Sequence, residues 1–276
     1  MNLLKGKRKG IKVTLLISML IFNLVVFIGC IDEGEFITYN PSQGDVYAVK
    51  SSMDISMEAD NEELFVMNLV LTGETKYTTV NENEILSEVT YKNISGEMSA
   101  KGEVQKIDES NPNFSELLNQ FKNVVIKLTQ DSNGNTVDVQ VEGLEGSEDS
   151  LGLSSSASSI SKQSSILNNV TVFEGSEVEI PLSKIYSEDV INQYGMDKNE
   201  SIKCKINKIT DDTVYGSFKK DSLKVSGIDM DIDLEFEIDK KSGICNNLVA
   251  TGDMSQDMNG KAYKSVVKMK MTMKKK

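Results

Sequence analysis

Histidine and tryptophan are both absent from this 276-residue chain. Without histidine the chain lacks the usual base of serine and cysteine hydrolases and the commonest transition-metal ligand. Only carboxylates, Ser, Tyr and Lys remain for catalysis, and they form no catalytic constellation. No catalytic residue, metal site or cofactor is expected. Basic residues are also short, 30 Lys and Arg against 42 Asp and Glu, for a formal charge of −12. Acidity of that degree argues against nucleic acid, whose phosphates need Lys and Arg to neutralise them. It argues equally against broad adsorption to anionic lipid. It names no protein partner.

Long hydrophobic runs are scarce too. One exists, Val13–Ile28, preceded by Lys5, Lys7, Arg8, Lys9 and Lys12. A spanning helix needs about 20 apolar residues, and Thr14, Ser18 and Asn23 dilute this shorter run. A basic segment, a short apolar segment and a small residue before the cut are the layout of a secretory signal. The run ends at Phe27-Ile28-Gly29-Cys30. Gly29-Cys30 resembles the lipobox of prokaryotic lipoproteins, which implies cleavage after residue 29, diacylation of Cys30 and attachment to the cell membrane on the side away from the cytoplasm. The alternative is an uncleaved signal-anchor. Removing residues 1–29 takes away five basic and no acidic groups, so the charge of −12 becomes −17.

Cysteine is the remaining scarcity. Beyond Cys30 only Cys204 and Cys245 are present. An extracytoplasmic compartment permits a disulfide between them; two buried reduced thiols acting as small hydrophobes is the other reading.

What the chain does have is alternation. Residues 30–44 read as a lipidated tether, and residues 45–273 as a single β-rich domain. Tyr47, Val49, Met53, Ile55 and Met57 fall on one face of the first strand, with Lys50, Ser52, Asp54, Ser56 and Glu58 on the other. Period two with one wet face is the signature of an antiparallel sheet. Ala59-Asp60-Asn61-Glu62 and Asn81-Glu82-Asn83 turn the chain, and Gly96 and Gly102 suggest bulges or bends. The apolar character of Leu64–Leu71, broken only by Asn68, predicts a more buried central strand. A helix is expected near Asn113, carrying Phe114, Leu117, Leu118 and Phe121 at helical spacing. Asp131, Asn133, Asn135 and Glu142 copy part of a calcium loop, but position 6 is Thr136 where glycine is needed, so a hairpin turn is expected. Serine dominates an insertion at about 143–169, a linker or a mobile helix that would cover the sheet. Ser183–Tyr194 reads as a second helix, and strands follow to Met273.

The fold class is therefore mainly β, within α+β: a curved antiparallel sheet or half-barrel of two meanders, with a few short helices mid-chain. Asp229, Asp231, Asp233, Glu235, Glu237 and Asp239 alternate with apolar residues in one strand. They would line one face at about 7 Å intervals, a solvated face balanced by lysines such as Lys203, Lys205, Lys268 and Lys270. Met53, Met57, Met230, Met269 and Met271 fall on inward positions. Methionine is flexible and polarisable, and it recurs on surfaces that accept varied apolar ligands. The competing reading is ordinary core packing.

A lipidated cysteine, strands dotted with Met and Ser, an interrupting helical segment and further strands together resemble the half-barrel carrier lipoproteins of the LolA and LprG/LppX group. Gly44-Asp45-Val46-Tyr47 and Asp239-Lys240-Lys241-Ser242-Gly243 are similar to segments of uncharacterised extracytoplasmic lipoproteins. The likeness implies a non-enzymatic protein that holds a lipid or other apolar ligand on a concave face. The alternative is a structural or protein-interaction lipoprotein of the cell envelope with a fully packed sheet. Sequons at Asn93, Asn113, Asn169 and Asn199 are candidate glycosylation sites.

Overall fold

The computed structural model describes residues 40–60, 62–100, 102–131, 136–143, 172–181, 192, 197, 199–225, 228–258 and 261–276. Cys30, Asn169, the Ser-rich insertion and nearly all of the second expected helix lie outside these residues.

Twelve antiparallel strands form one sheet. They are β1 (Val46–Ala59), β2 (Glu62–Val80), β3 (Glu84–Ala100), β4 (Glu103–Ile107), β5 (Val125–Asp131), β6 (Thr136–Glu142), β7 (Glu177–Pro181), β8 (Ser201–Ile209), β9 (Thr213–Val225), β10 (Ile228–Asp239), β11 (Cys245–Met258) and β12 (Lys261–Lys275). Their order is β6-β5-β3-β2-β1-β12-β11-β10-β9-β8-β7, with β4 beside β3. The first and last strands thus meet in the middle of the sheet, from Tyr47 opposite Lys275 to Ala59 opposite Tyr263. Among the described residues one helix of full length is present, α1 (Ser115–Lys122).

Turn chemistry places the hairpins. Ala59 pairs with Glu62, and Asp60 adopts φ +52°, the left-handed region that two-residue hairpins require and short polar side chains tolerate. Asn81 Oδ1 accepts the backbone N–H groups of Asn83 (2.9 Å) and Glu84 (3.0 Å), closing an Asx turn between β2 and β3. Gly102, at φ +81°, bends the chain between β3 and β4, so the third strand stops at Ala100 and the next begins at Glu103. Gly96 is no bulge, however. It pairs with Leu69 in unbroken register, and the β2–β3 shifts lie at Thr72/Gly73 and Tyr77/Thr79.

The alternation of apolar and polar residues assigns the faces. Ile232, Leu234, Phe236 and Ile238 of β10 are buried, whereas Asp231, Asp233 and Glu235 are exposed. β2 is interior in strand order, but Val66 and Val70 on its outer face are only half-buried and Asn68 is exposed. Its apolar run therefore reflects one buried face and one partly wet face. Eleven strands at ~4.8 Å spacing span about 50 Å, while an eight-residue helix is about 12 Å long. That helix lies on the inner face beside β3, where Phe121 meets Tyr91 edge-to-face with ring centroids 6.3 Å apart.

Candidate ligand-binding face

The inner face is one continuous apolar cluster drawing on β1–β4 and β7–β12, with Leu118 of α1 and Val172 added. Met53, Met230, Met269 and Met271 are 8%, 2%, 2% and 1% exposed, and Met57 is half-buried against them. Met53 faces Met269 directly across the β1–β12 junction. Met230 stands farther off on β10, opposite Met254. The structure thus gathers Met53, Met57, Met269 and Met271, joined by Met273 and Met67, at the middle of the sheet.

One residue of this face was not singled out by its sequence. Ser51 lies between Val49 and Met53 on the inward positions of β1, opposite Leu71 of β2 and Met271 of β12. It is 1% exposed, and its hydroxyl has no hydrogen-bond partner. The signal available in advance was parity alone, a serine at an inward position of an otherwise apolar series. The other buried polar side chains are Thr75, Ser87, Gln130 and Ser265. Ser265 donates to Ser56 O at 3.2 Å. Among the described residues, no Asp, Glu, Lys or Arg is buried on this face.

Cys204 and Cys245 are free and buried. They stand on β8 and β11, and Cys204 shares a row with Phe218, Leu234 and Ala250. Three strand steps separate them by about 14 Å, whereas a disulfide needs Cα atoms within about 7 Å. The disulfide considered from the sequence is therefore not formed. Burial pushes both thiols up to about 12, so they are inert at neutral pH. The sign of the pH dependence follows. Each folded-state value is raised above the ordinary 9.0, so the contribution is fully present below pH 9 and is lost between pH 9 and 12. Stability should fall above pH 9 by up to about 1.4 kcal/mol per thiol per pH unit. Thermal unfolding from pH 8 to 11 tests this, since a Cys204→Ala/Cys245→Ala variant should shed that part of the fall. Burial raises Tyr91 and Tyr47 in the same direction, so their share survives in the variant.

The acidic row of β10 has a different neighbourhood from the one expected. Asp233 faces Lys219, but Asp231 faces Asp253. Lys268 and Lys270 lie two strands away, opposite Asp54 and Ser52, and Lys203 pairs with Glu179 at 3.5 Å. Cross-strand compensation depends on register, which composition does not reveal. No cluster of metal-ligating side chains occurs among the described residues. The calcium-like loop 132–135 is outside them; Gln130 pairs with Thr136 across its base, as in a hairpin.

The two segments singled out for resemblance meet at one end of the sheet. Asn40 N–H donates to Ser242 O (2.9 Å), Gly44 N–H to Tyr77 O (2.8 Å) and Lys276 N–H to Val46 O (2.9 Å). Lys275 Nζ donates to Asp45 Oδ2 at 2.7 Å, holding that carboxyl below its usual range. Tyr47 and Tyr77 pack edge-to-face, 5.9 Å between centroids. Asp239 Oδ1 accepts both Ser242 N–H (2.7 Å) and Ser242 Oγ–H (2.6 Å). Asn40–Gly44 is consequently fastened to the sheet rather than free as a tether. Asn93, Asn113 and Asn199 are exposed.

No family model matches this chain, and no curated protein does. Among solved structures, lipovitellin, presented as "Lipid-protein interactions in lipovitellin", aligns with a TM-score of 0.54 at 7% identity. The alignment covers 84% of this chain and 25% of that one, so the chain spans about a quarter of lipovitellin's length. At this identity the likeness concerns the fold, a wide antiparallel sheet. An outer membrane channel from Pseudomonas putida F1 aligns at a TM-score of 0.19 and 5% identity, over 88% of this chain and all of that one, and carries no argument. Among the described residues no helix is long and apolar enough to cross a membrane; this leaves β-barrels unaddressed.

Proposed function

We propose that the protein is a membrane-anchored lipoprotein, facing outside the cytoplasm, that binds a lipid or other apolar ligand on the inner face of its sheet and catalyses no reaction. The observation that carries this reading is the inner face itself: a continuous apolar cluster on ten strands, rich in methionine and, among the described residues, without a buried Asp, Glu, Lys or Arg. A sheet with such a face buries it by bending into a half-barrel, as wide twisted sheets do, and the concave side so formed is rich in methionine. Lipovitellin, presented in terms of lipid–protein interactions, has a related sheet, which supports the same direction.

A second reading has its own observation. Met53, Met230, Met269 and Met271 are each at most 8% exposed, the condition of a solid interior. On that reading the sheet is fully packed, and the acidic outer face meets a protein or envelope partner. Native mass spectrometry of the chain from residue 31 onward, with organic extraction, separates the two. Co-purifying acyl species are the expected result. A ligand-free protein that also takes up no added lipid supports the packed alternative.

The anchor is tested separately. Metabolic palmitate should label the full chain and vanish from a Cys30→Ala variant, which would lose the added chains that hold it on the membrane. Labelling that persists in the variant would remove the lipoprotein assignment.

A further inference from the structure

Ser51 stands alone on the inner face in a specific way: its hydroxyl is 1% exposed, points among Val49, Leu71, Met53 and Met271, and has no partner. Buried polar groups in folded proteins are nearly always hydrogen-bonded, and each orphan requires an explanation. An unmatched hydroxyl in apolar surroundings costs about 1–3 kcal/mol, and an alanine there would avoid that cost. The site around it is also shaped by size. Ser51 is small, while Met53 follows it on the inward positions of β1 and Met269, Met271 and Met273 stand along the adjoining β12. Long unbranched side chains can occupy the space over small residues and vacate it by rotamer change.

Resting on the apolar-ligand reading above, we infer that the ligand is an uncharged acyl ester lipid, whose carbonyl oxygen accepts a hydrogen bond from Ser51 Oγ while its chains lie over Met53, Met269 and Met271. The remaining buried polar groups support the absence of charge. Thr75, Ser87, Gln130 and Ser265 are neutral, and no buried Lys or Arg stands among the described residues of this face to match a phosphate or carboxylate. Drawing an unpaired anion into such surroundings carries a desolvation penalty well beyond the gain from one hydrogen bond.

The test uses the full chain in phosphatidylcholine vesicles with two photoactivatable probes of identical acyl chains, a diacylglycerol and the corresponding phosphatidate, each bearing a chain diazirine. Crosslinks are mapped by peptide mass spectrometry. The diacylglycerol is expected to label the peptides carrying Met53 and Met269–Met273 at least five-fold more than the phosphatidate. Ser51→Ala should cut that labelling about five-fold, the equivalent of one neutral hydrogen bond, while leaving the melting temperature unchanged or higher. Equal labelling by both probes, or no effect of Ser51→Ala, overturns the uncharged-ester inference and leaves the apolar-ligand reading intact. A lowered melting temperature in Ser51→Ala marks a structural hydroxyl and overturns it as well. Absence of inner-face labelling by either probe removes the ligand-binding reading itself.

Discussion

Leu234→Ala is expected to destabilise the protein by about 2–5 kcal/mol, whereas Glu235→Ala, one residue along, should change stability by no more than about 0.5 kcal/mol. Leu234 is 2% exposed on the inner face of β10, between Phe218 of β9 and Ala250 of β11. Truncation removes its buried methyl groups and leaves a gap that flanking strands, held by backbone hydrogen bonds, cannot close. Glu235 projects to the other side of the same strand, into solvent, opposite Ser217 and Val249. Its removal also thins a row of like charges, which offsets whatever packing its stem supplies. Urea unfolding of the two variants measures both numbers, and an unchanged slope identifies a pure stability effect. Comparable losses from the two substitutions would mean that the faces of β10 are not those described.

The second large effect is expected at Gly216. This residue sits on the inner face of β9, opposite Phe236 of β10, and a Cβ built there would lie 2.0 Å from Phe236 Cζ. The ring lies over the glycine, a cross-strand arrangement in which the aromatic covers the backbone that glycine leaves bare. Phe236 is 3% exposed and cannot swing aside without displacing its neighbours. Gly216→Ala should therefore cost about 1–3 kcal/mol by overpacking, and Gly216→Val more. The mechanism makes a further demand. In a Gly216→Ala/Phe236→Leu double variant the smaller side chain relieves the clash, so the combined loss should be less than the sum of the separate losses. Strict additivity would show that ring and glycine do not interact.

These two positions differ in how far they could be read in advance. The fate of Leu234 was legible, because Ile228–Asp239 alternates so regularly that any register burying one member buries the others. The inward set of β1 was equally legible, as were the turns at Asp60 and Asn81–Asn83, since each depends on residues adjacent in the chain. Gly216 was not. A glycine within a strand signals a bulge or a close approach, but which side chain approaches depends on the residue opposite, here twenty positions later. The same limit explains the lysines placed against the wrong acids, the bulge expected at Gly96, and the disulfide considered between Cys204 and Cys245. Each required knowing which strands are neighbours.

Ser51 belongs to the same class. Its parity placed it among inward residues, yet whether an inward serine finds a partner is decided by what β2 and β12 bring beside it. Those strands bring Leu71 and Met271, and neither accepts its proton well. Parity and turn residues are properties of neighbouring positions, so the chain alone determined the β character and the wet and dry sides of its strands. Strand order and register involve contacts between residues as far apart as Tyr47 and Lys275. Many pairings satisfy the same alternation, and only the free energy of the assembled sheet selects among them. The tertiary structure alone therefore decided that the first and last strands join at the centre, that the methionines of β1 and β12 meet there, and that an unpartnered hydroxyl sits between them.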